Sequence, residues 1–147
     1  MNQFEHLAKL RPSGQATLTM YQIRGEPTLT LKPASEANKG YYTPLIKRNS
    51  RNSRRIAAGK VNAKMLKQSR DEDRELFSKF VVTDWADVMD SAGEAVEFSK
   101  ENCYDFLKAL PDWLFDEVRQ FASEPENFIE DEDEPAPGPE DIADLGE

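Results

Sequence analysis

The sequence predicts an α+β domain dominated by helices, with an N-terminal β-hairpin, about four helices and a disordered acidic C-terminal tail. Three observations carry that prediction. Between Ala16 and Lys32 the apolar side chains alternate with a period near two. Between Ser35 and Phe121 they recur three and four residues apart. From Glu130 onward the chain is acidic and proline-rich, with almost nothing to bury. The 147 residues suffice for one compact domain plus tails. The expected organisation is a flexible N-terminus over 1–15, a single domain over 16–129 and a disordered tail over 130–147.

The hairpin is expected to pair Ala16–Arg24 with Thr28–Lys32 across Gly25-Glu26-Pro27, a turn-like tripeptide. Pro27, lacking a backbone N–H, suits a strand edge. Beyond Pro33, Ser35 is a fitting N-cap, and Tyr41, Tyr42, Leu45 and Ile46 follow at helical spacing. Pro44 interrupts them. Either Thr43 caps a new helix with Pro44 at its first position, or one longer helix is kinked there. Gly59 marks the end of this segment.

A second helix is expected from about Ser69 to Val82. Asp71, Glu72 and Asp73 would complement the dipole in its first turn, and Leu76, Phe77, Phe80 and Val81 would form its apolar stripe. Asp84 to Gly93 reads as a loop closed by the tight turn Asp90-Ser91-Ala92-Gly93, with Ala95–Phe98 extended. Ser99 caps a third helix whose Cys103, Phe106, Leu107 and Leu110 share a face until Pro111 ends it. Asp112 can cap a fourth, with Leu114, Val118 and Phe121 on one face, widened by Phe115 and Ala122. The third and fourth helices should pack as a corner.

The net charge of −9 conceals a strong segregation. Residues 37–70 carry ten basic and no acidic side chains, whereas residues 71–147 carry five basic and twenty-five acidic ones. Such blocks bear on partners and self-association more than on fold. One cysteine precludes an intrachain disulfide, and with one histidine it leaves no Cys/His zinc set. No stretch approaches the roughly twenty apolar residues of a membrane span, and Met1–Arg11 lacks a signal-peptide pattern. A reducing cytoplasm is the expected setting.

Several fragments resemble one protein family. They are Leu31-Lys32-Pro33-Ala34-Ser35-Glu36-Ala37-Asn38, Arg70-Asp71-Glu72-Asp73-Arg74-Glu75-Leu76, Val82-Thr83-Asp84-Trp85, the run from Asp90 to Asn102, and Leu110-Pro111-Asp112-Trp113-Leu114-Phe115. Their succession is similar to that of tail assembly chaperones of long-tailed bacteriophages, over roughly residues 16–129. The resemblance implies a small, mainly helical protein of the bacterial cytoplasm. It implies that the tape-measure protein is kept soluble while tail-tube subunits polymerise around it, and that the chaperone is absent from the finished virion. Many such proteins are made in two lengths by programmed frameshifting. The family defines no active site, so the resemblance supplies no catalytic, metal or cofactor residue.

The basic block Lys47-Arg48-Asn49-Ser50-Arg51-Asn52-Ser53-Arg54-Arg55 puts Arg48, Arg51 and Arg55 along one helical face. Such a face could track phosphates. Pairing with acidic groups of the chain itself, of a second copy or of an acidic protein is preferred, because the −20 block competes with phosphate for it. Nucleic acid is thus the weaker expectation. The tail reads as a solubilising segment, with a shield over the basic block as the sharper alternative. Asp84, Asp87 and Asp90, with Glu94, lack the EF-hand arrangement and read as capping and turn residues. His6 and Cys103 are not expected to meet as a catalytic pair.

Trp85, Trp113 and Phe115 are the candidate aromatic contacts for a partner, alongside Arg48, Arg51 and Arg55. Core packing of Trp113 against Trp85 is the competing reading. The expected activity is non-enzymatic: a chaperone for the tape-measure and tail-tube proteins, without cofactor or membrane, with self-association open. The rivals are a virion structural subunit and a nucleic-acid-associated regulator using the basic segment.

Overall fold

The computed structural model describes residues 3–12, 14–59 and 62–129; the expected acidic tail over 130–147 lies outside them. Glu5–Leu10, within the segment expected to be flexible, forms a 3-10 helix that buries none of its residues. The strands β1 (Ala16–Thr19), β2 (Thr28–Leu31) and β3 (Val82–Ala86) make one antiparallel sheet in the order β1-β2-β3.

The hairpin pairs Thr19 with Thr28 and Ala16 with Leu31, and the Thr19 and Thr28 hydroxyls lie 3.1 Å apart. Its first strand is shorter than the sequence suggests. Met20 is buried, and the chain turns there: Met20 N–H donates to the Pro27 carbonyl, Ile23 N–H to Met20 and Glu26 N–H to Ile23. Gly25 has φ of +90° and faces the Asp87 carbonyl and Met89 side chain, either of which a Cβ would meet at 3.2 Å. That connection is therefore packed against the β3 exit. Pro27 stands just before the central strand, outside its hydrogen-bonding ladder, where a missing N–H costs nothing.

Strand β3 replaces the start of the expected loop. Leu29 pairs with Trp85 and Thr30 with Asp84, but Leu31 pairs with Val82, so Thr83 is an extra residue in the register. The bulge lets Val82 and Trp85 face the core together although they are three residues apart. Strict alternation in the sequence is thereby lost.

Helix α1 (Lys39–Ala57) is continuous through Pro44, which leaves the Gly40 carbonyl without its helical donor. It begins later than Ser35 implied, because Ser35 makes a local turn with its hydroxyl accepting from Ala37 N–H. Asn38 at the helix entrance instead donates its side-chain amide to the Phe80 carbonyl at 2.8 Å. Gly59, at φ of +73°, takes the left-handed position that ends the helix.

Helix α2 (Ala63–Leu76) starts well before Ser69, capped by Asn62, whose side chain accepts from Met65 N–H at 2.9 Å. Asp71, Glu72 and Asp73 consequently lie past its middle; Asp71 pairs with Arg74 of the same helix, while Glu72 and Asp73 serve partners on other helices. The helix widens into a π-type turn, Phe77–Val81, that feeds directly into β3.

Asp90 organises the turn after β3 as expected, its carboxylate accepting from Ala92 and Glu94 N–H while Gly93 N–H donates to its carbonyl. Helix α3 (Lys100–Ala109) is capped by Ser99, which accepts from Asn102 N–H at 2.9 Å. Pro111 separates it from α4 (Asp112–Ser123). Asp112 is the first residue of α4, with Pro111 in the capping position. A 3-10 turn, Pro125–Phe128, folds Phe128 under α4 against Phe121, ring centroids 6.0 Å apart.

One core joins these layers. Leu29, Leu31, Val81, Val82, Cys103, Leu107, Phe115 and Val118 are completely or almost completely buried in it. At its centre the Phe77 ring meets Tyr41 and Phe115 edge-on, each at 5.6 Å. Such pairs add about 0.5–1.5 kcal/mol each beyond burial.

Candidate partner-binding site

The basic and acidic blocks meet in a helical hairpin. Helices α1 and α2 run antiparallel and are joined by a polar seam. Arg48 pairs with Asp73 and also reaches the Ser69 carbonyl, and the Asn52 amide donates to the Ser69 hydroxyl. Arg51 grips both carboxylate oxygens of Glu72, at 3.0 and 3.2 Å. Two of the three candidate arginines are thus engaged by acids of their own chain. Arg55 lies farther along, lining a shallow depression with Asn62, Lys64, Met65 and Gln68 at the far end of the hairpin.

Asp73 is buried and shared. Its second oxygen accepts from Arg119 of α4 at 2.8 Å, so one carboxylate ties α1, α2 and α4 together. Arg119 also pairs with Asp116. Burial alone would lower the Arg119 pKa, but the hydrogen bonds to Asp116 and Asp73 outweigh it and raise it. Tyr41 nearby has its hydroxyl pKa raised, chiefly by burial and then by the Asp73 charge.

Arg74 is the neighbouring keystone. Its side chain is only 5% exposed. Nε donates to the Leu107 carbonyl at 2.8 Å and Nη2 to the Leu110 carbonyl at 2.9 Å. Pro111 has no N–H to give the Leu107 carbonyl, which accepts besides from Leu110 N–H at 3.3 Å. Nη2 also reaches Asp112 at 3.0 Å, and the guanidinium lies 4.7 Å above the Phe115 ring. Arg70 adds a second contact to Asp112 at 3.2 Å. The Asp112 carboxyl is held below its ordinary pKa, first by the Arg74 hydrogen bond and then by the charges of Arg70, Arg74 and Lys67.

Of the aromatic candidates, the structure presents only Trp113. Trp85 is buried, its indole N–H donating to the Val96 carbonyl at 2.8 Å and its ring edge-on to Phe98 and Phe106. Phe115 is wholly buried beneath Arg74 and Arg119. Both belong to the core and offer no contact surface, a correction to their place among the partner contacts. Trp113 is 57% exposed on the first turn of α4 and does not pack against Trp85. Trp113, Arg48 and Arg55 therefore do not converge on one pocket. Arg48 joins Asp73, and Trp113 follows Asp112, the partner of Arg74, whereas Arg55 takes part in no ion pair among the described residues.

Cys103 is fully buried on α3 and its thiol is pushed up to about 12 by burial, against a small opposing pull from Lys100. Asp84 accepts the backbone N–H of Trp85 at 2.8 Å. No helix among the described residues is long and apolar enough to cross a membrane.

A family model described as YdaY prophage protein matches residues 37–138, which take in α1 through α4 and the whole Asp73–Arg74 network. The chain belongs to this family. It is phage-derived. The β1–β2 hairpin precedes the matched region, so the family match rests on the helices, β3 and the start of the acidic segment. No curated protein and no solved structure matches the chain.

Proposed function

We propose that this prophage protein is a non-enzymatic tail assembly chaperone, holding the tape-measure protein soluble in the host cytoplasm and assisting tail-tube assembly before leaving the particle. One observation carries the reading. The fragments that resemble tail assembly chaperones interlock: Arg74 of the Arg70–Leu76 fragment bonds to the Leu110 carbonyl and the Asp112 carboxylate of the Leu110–Phe115 fragment. Trp85 of the Val82–Trp85 fragment bonds to the Val96 carbonyl of the Asp90–Asn102 fragment. The resemblance therefore belongs to a mutually supporting unit, not to scattered composition.

Trp113 is the client contact this reading favours. Pro111 sets the turn into α4, and the Arg70 and Arg74 contacts to Asp112 hold the first helical turn, so the exposed indole beside it is presented on a rigid corner. Rigid aromatic side chains make efficient anchors for an amphipathic client helix. Engagement of Arg48 and Arg51 by Asp73 and Glu72 weighs against the nucleic-acid alternative.

The test is co-expression with the tape-measure protein of the same prophage, followed by co-purification. A client that is insoluble alone and soluble in complex supports the chaperone. A client whose solubility and retention are unaffected, in both full-length and fragment forms, overturns it.

A further inference from the structure

The far end of the α1–α2 hairpin is a charged surface without a described counterpart. Arg54, Arg55 and Lys64 crowd it, and none has an ion-pair partner among the described residues. Residues 140–147 carry the opposite charge in Glu140, Asp141, Asp144 and Glu147.

We infer that residues 140–147 dock in cis on the basic end of the α1–α2 hairpin, with carboxylates on Arg54, Arg55 and Lys64. Chain geometry selects these acids over the Glu130–Glu134 run. The described chain ends at Ile129, beside the C-terminal end of α4, where Ala34 N–H bonds to the Ala122 carbonyl and Asn127 to Phe121. Ala34 is five residues before α1 begins, so the acidic segment leaves from the opposite end of the 19-residue helix. Spanning that helix takes about 28 Å at 1.5 Å per residue. Glu134, five residues past Ile129, reaches at most about 17 Å, whereas Glu140 reaches about 36 Å and Glu147 about 60 Å.

A tether of this length gives an effective concentration in the millimolar range. At micromolar protein, the chain's own acidic segment therefore outcompetes that of a second copy. The inference does not depend on the chaperone reading.

Zero-length carbodiimide coupling of the full-length protein, with peptide mass spectrometry, tests it. The expected result is Lys64 joined to Glu140, Asp141, Asp144 or Glu147. The yield should be independent of protein concentration and fall severalfold in 1 M salt. A mixture of light and ¹⁵N-labelled protein should give no mixed-isotope links. The variant Glu140→Gln/Asp141→Asn/Asp144→Asn/Glu147→Gln should elute from heparin at higher salt than the parent. Mixed-isotope links would move the contact to a second copy and overturn docking in cis. Absence of links to residues 140–147, or unchanged heparin elution in the variant, overturns the inference outright.

Discussion

Arg74 donates its Nε to the carbonyl oxygen of Leu107 at 2.8 Å, closing the C-terminal end of α3 from inside the protein. A side chain of α2 thus adds, beside the 3.3 Å bond from Leu110 N–H, the donor that Pro111 cannot supply, and the same guanidinium reaches forward to Asp112 at the start of α4. Arg74→Ala would leave the Leu107 and Leu110 carbonyls without this donor, and Asp112 without its partner. The expected loss is about 3 kcal/mol, read as a lower urea midpoint by fluorescence. Arg74→Lys should recover little of it, because an ammonium cannot reproduce the planar fork. Equal stability of Arg74→Lys and the parent would show that charge alone is enough.

Asp73 joins three helices, so its removal should act non-additively. Asp73→Ala is expected to cost about 3 kcal/mol by leaving Arg48 and Arg119 without their shared acceptor. In that background, Arg48→Ala should cost much less than it does alone, and a double-mutant cycle measures the difference. Strictly additive losses would mean that the Arg48–Asp73 contact contributes nothing.

The two tryptophans should separate cleanly. Trp85→Ala removes a buried indole with a hydrogen bond and two edge-on ring contacts, and should cost about 3–5 kcal/mol. Trp113→Ala should stay within about 0.5 kcal/mol of the parent, since the side chain is exposed. Under the proposed function it nonetheless lowers retention of the tape-measure protein. Full retention by a folded Trp113→Ala variant would place the client contact elsewhere.

Acid stability should report on Asp112. Its folded pKa lies below the ordinary value, so near that value the unfolded chain binds more protons. The contribution is complete above the unfolded pKa, near 4, and disappears as pH falls through the lower folded one. Asp112→Asn should therefore be less stable than the parent at neutral pH, with the two unfolding midpoints converging toward pH 2. Parallel curves over that range would exclude the Arg74 hydrogen bond as the cause.

Cys103 should behave oppositely with pH. Its folded pKa, pushed up to about 12 by burial, keeps the thiol neutral. That contribution is present below the unfolded value, about 8.5, and is lost as pH rises toward 12. A thiol-specific disulfide reagent at neutral pH should label Cys103 only as fast as the protein opens, with rates climbing through the urea transition. Rapid labelling of the native protein would contradict its burial.

Helices α3 and α4 were legible because their determinants are local: a Ser99 cap, apolar residues at helical spacing, and a proline that cannot continue α3. Gly59 and the Asp90 turn were legible for the same reason, each resting on the conformational preference of one residue. The β1–β2 pairing was visible in its alternation, although Met20 cut the first strand short. Strand β3 was hidden because a bulge at Thr83 breaks the period that identifies a strand. The start of α2 was hidden because its first two turns bury only Met65, leaving no apolar stripe to read.

The candidate site divides along the same line. Sequence alone determined that a basic block precedes an acidic one, that Arg48, Arg51 and Arg55 share a helical face, and that aromatic residues flank the Pro111 break. Tertiary structure decided which of those charges are already neutralised and which aromatics remain outside. Asp73 meets Arg119 across 46 residues and Arg74 meets Leu110 across 36, and such pairings depend on how helices dock. Local pattern specifies which face of a helix is apolar. Only the packing of that face determines where its polar neighbours end up.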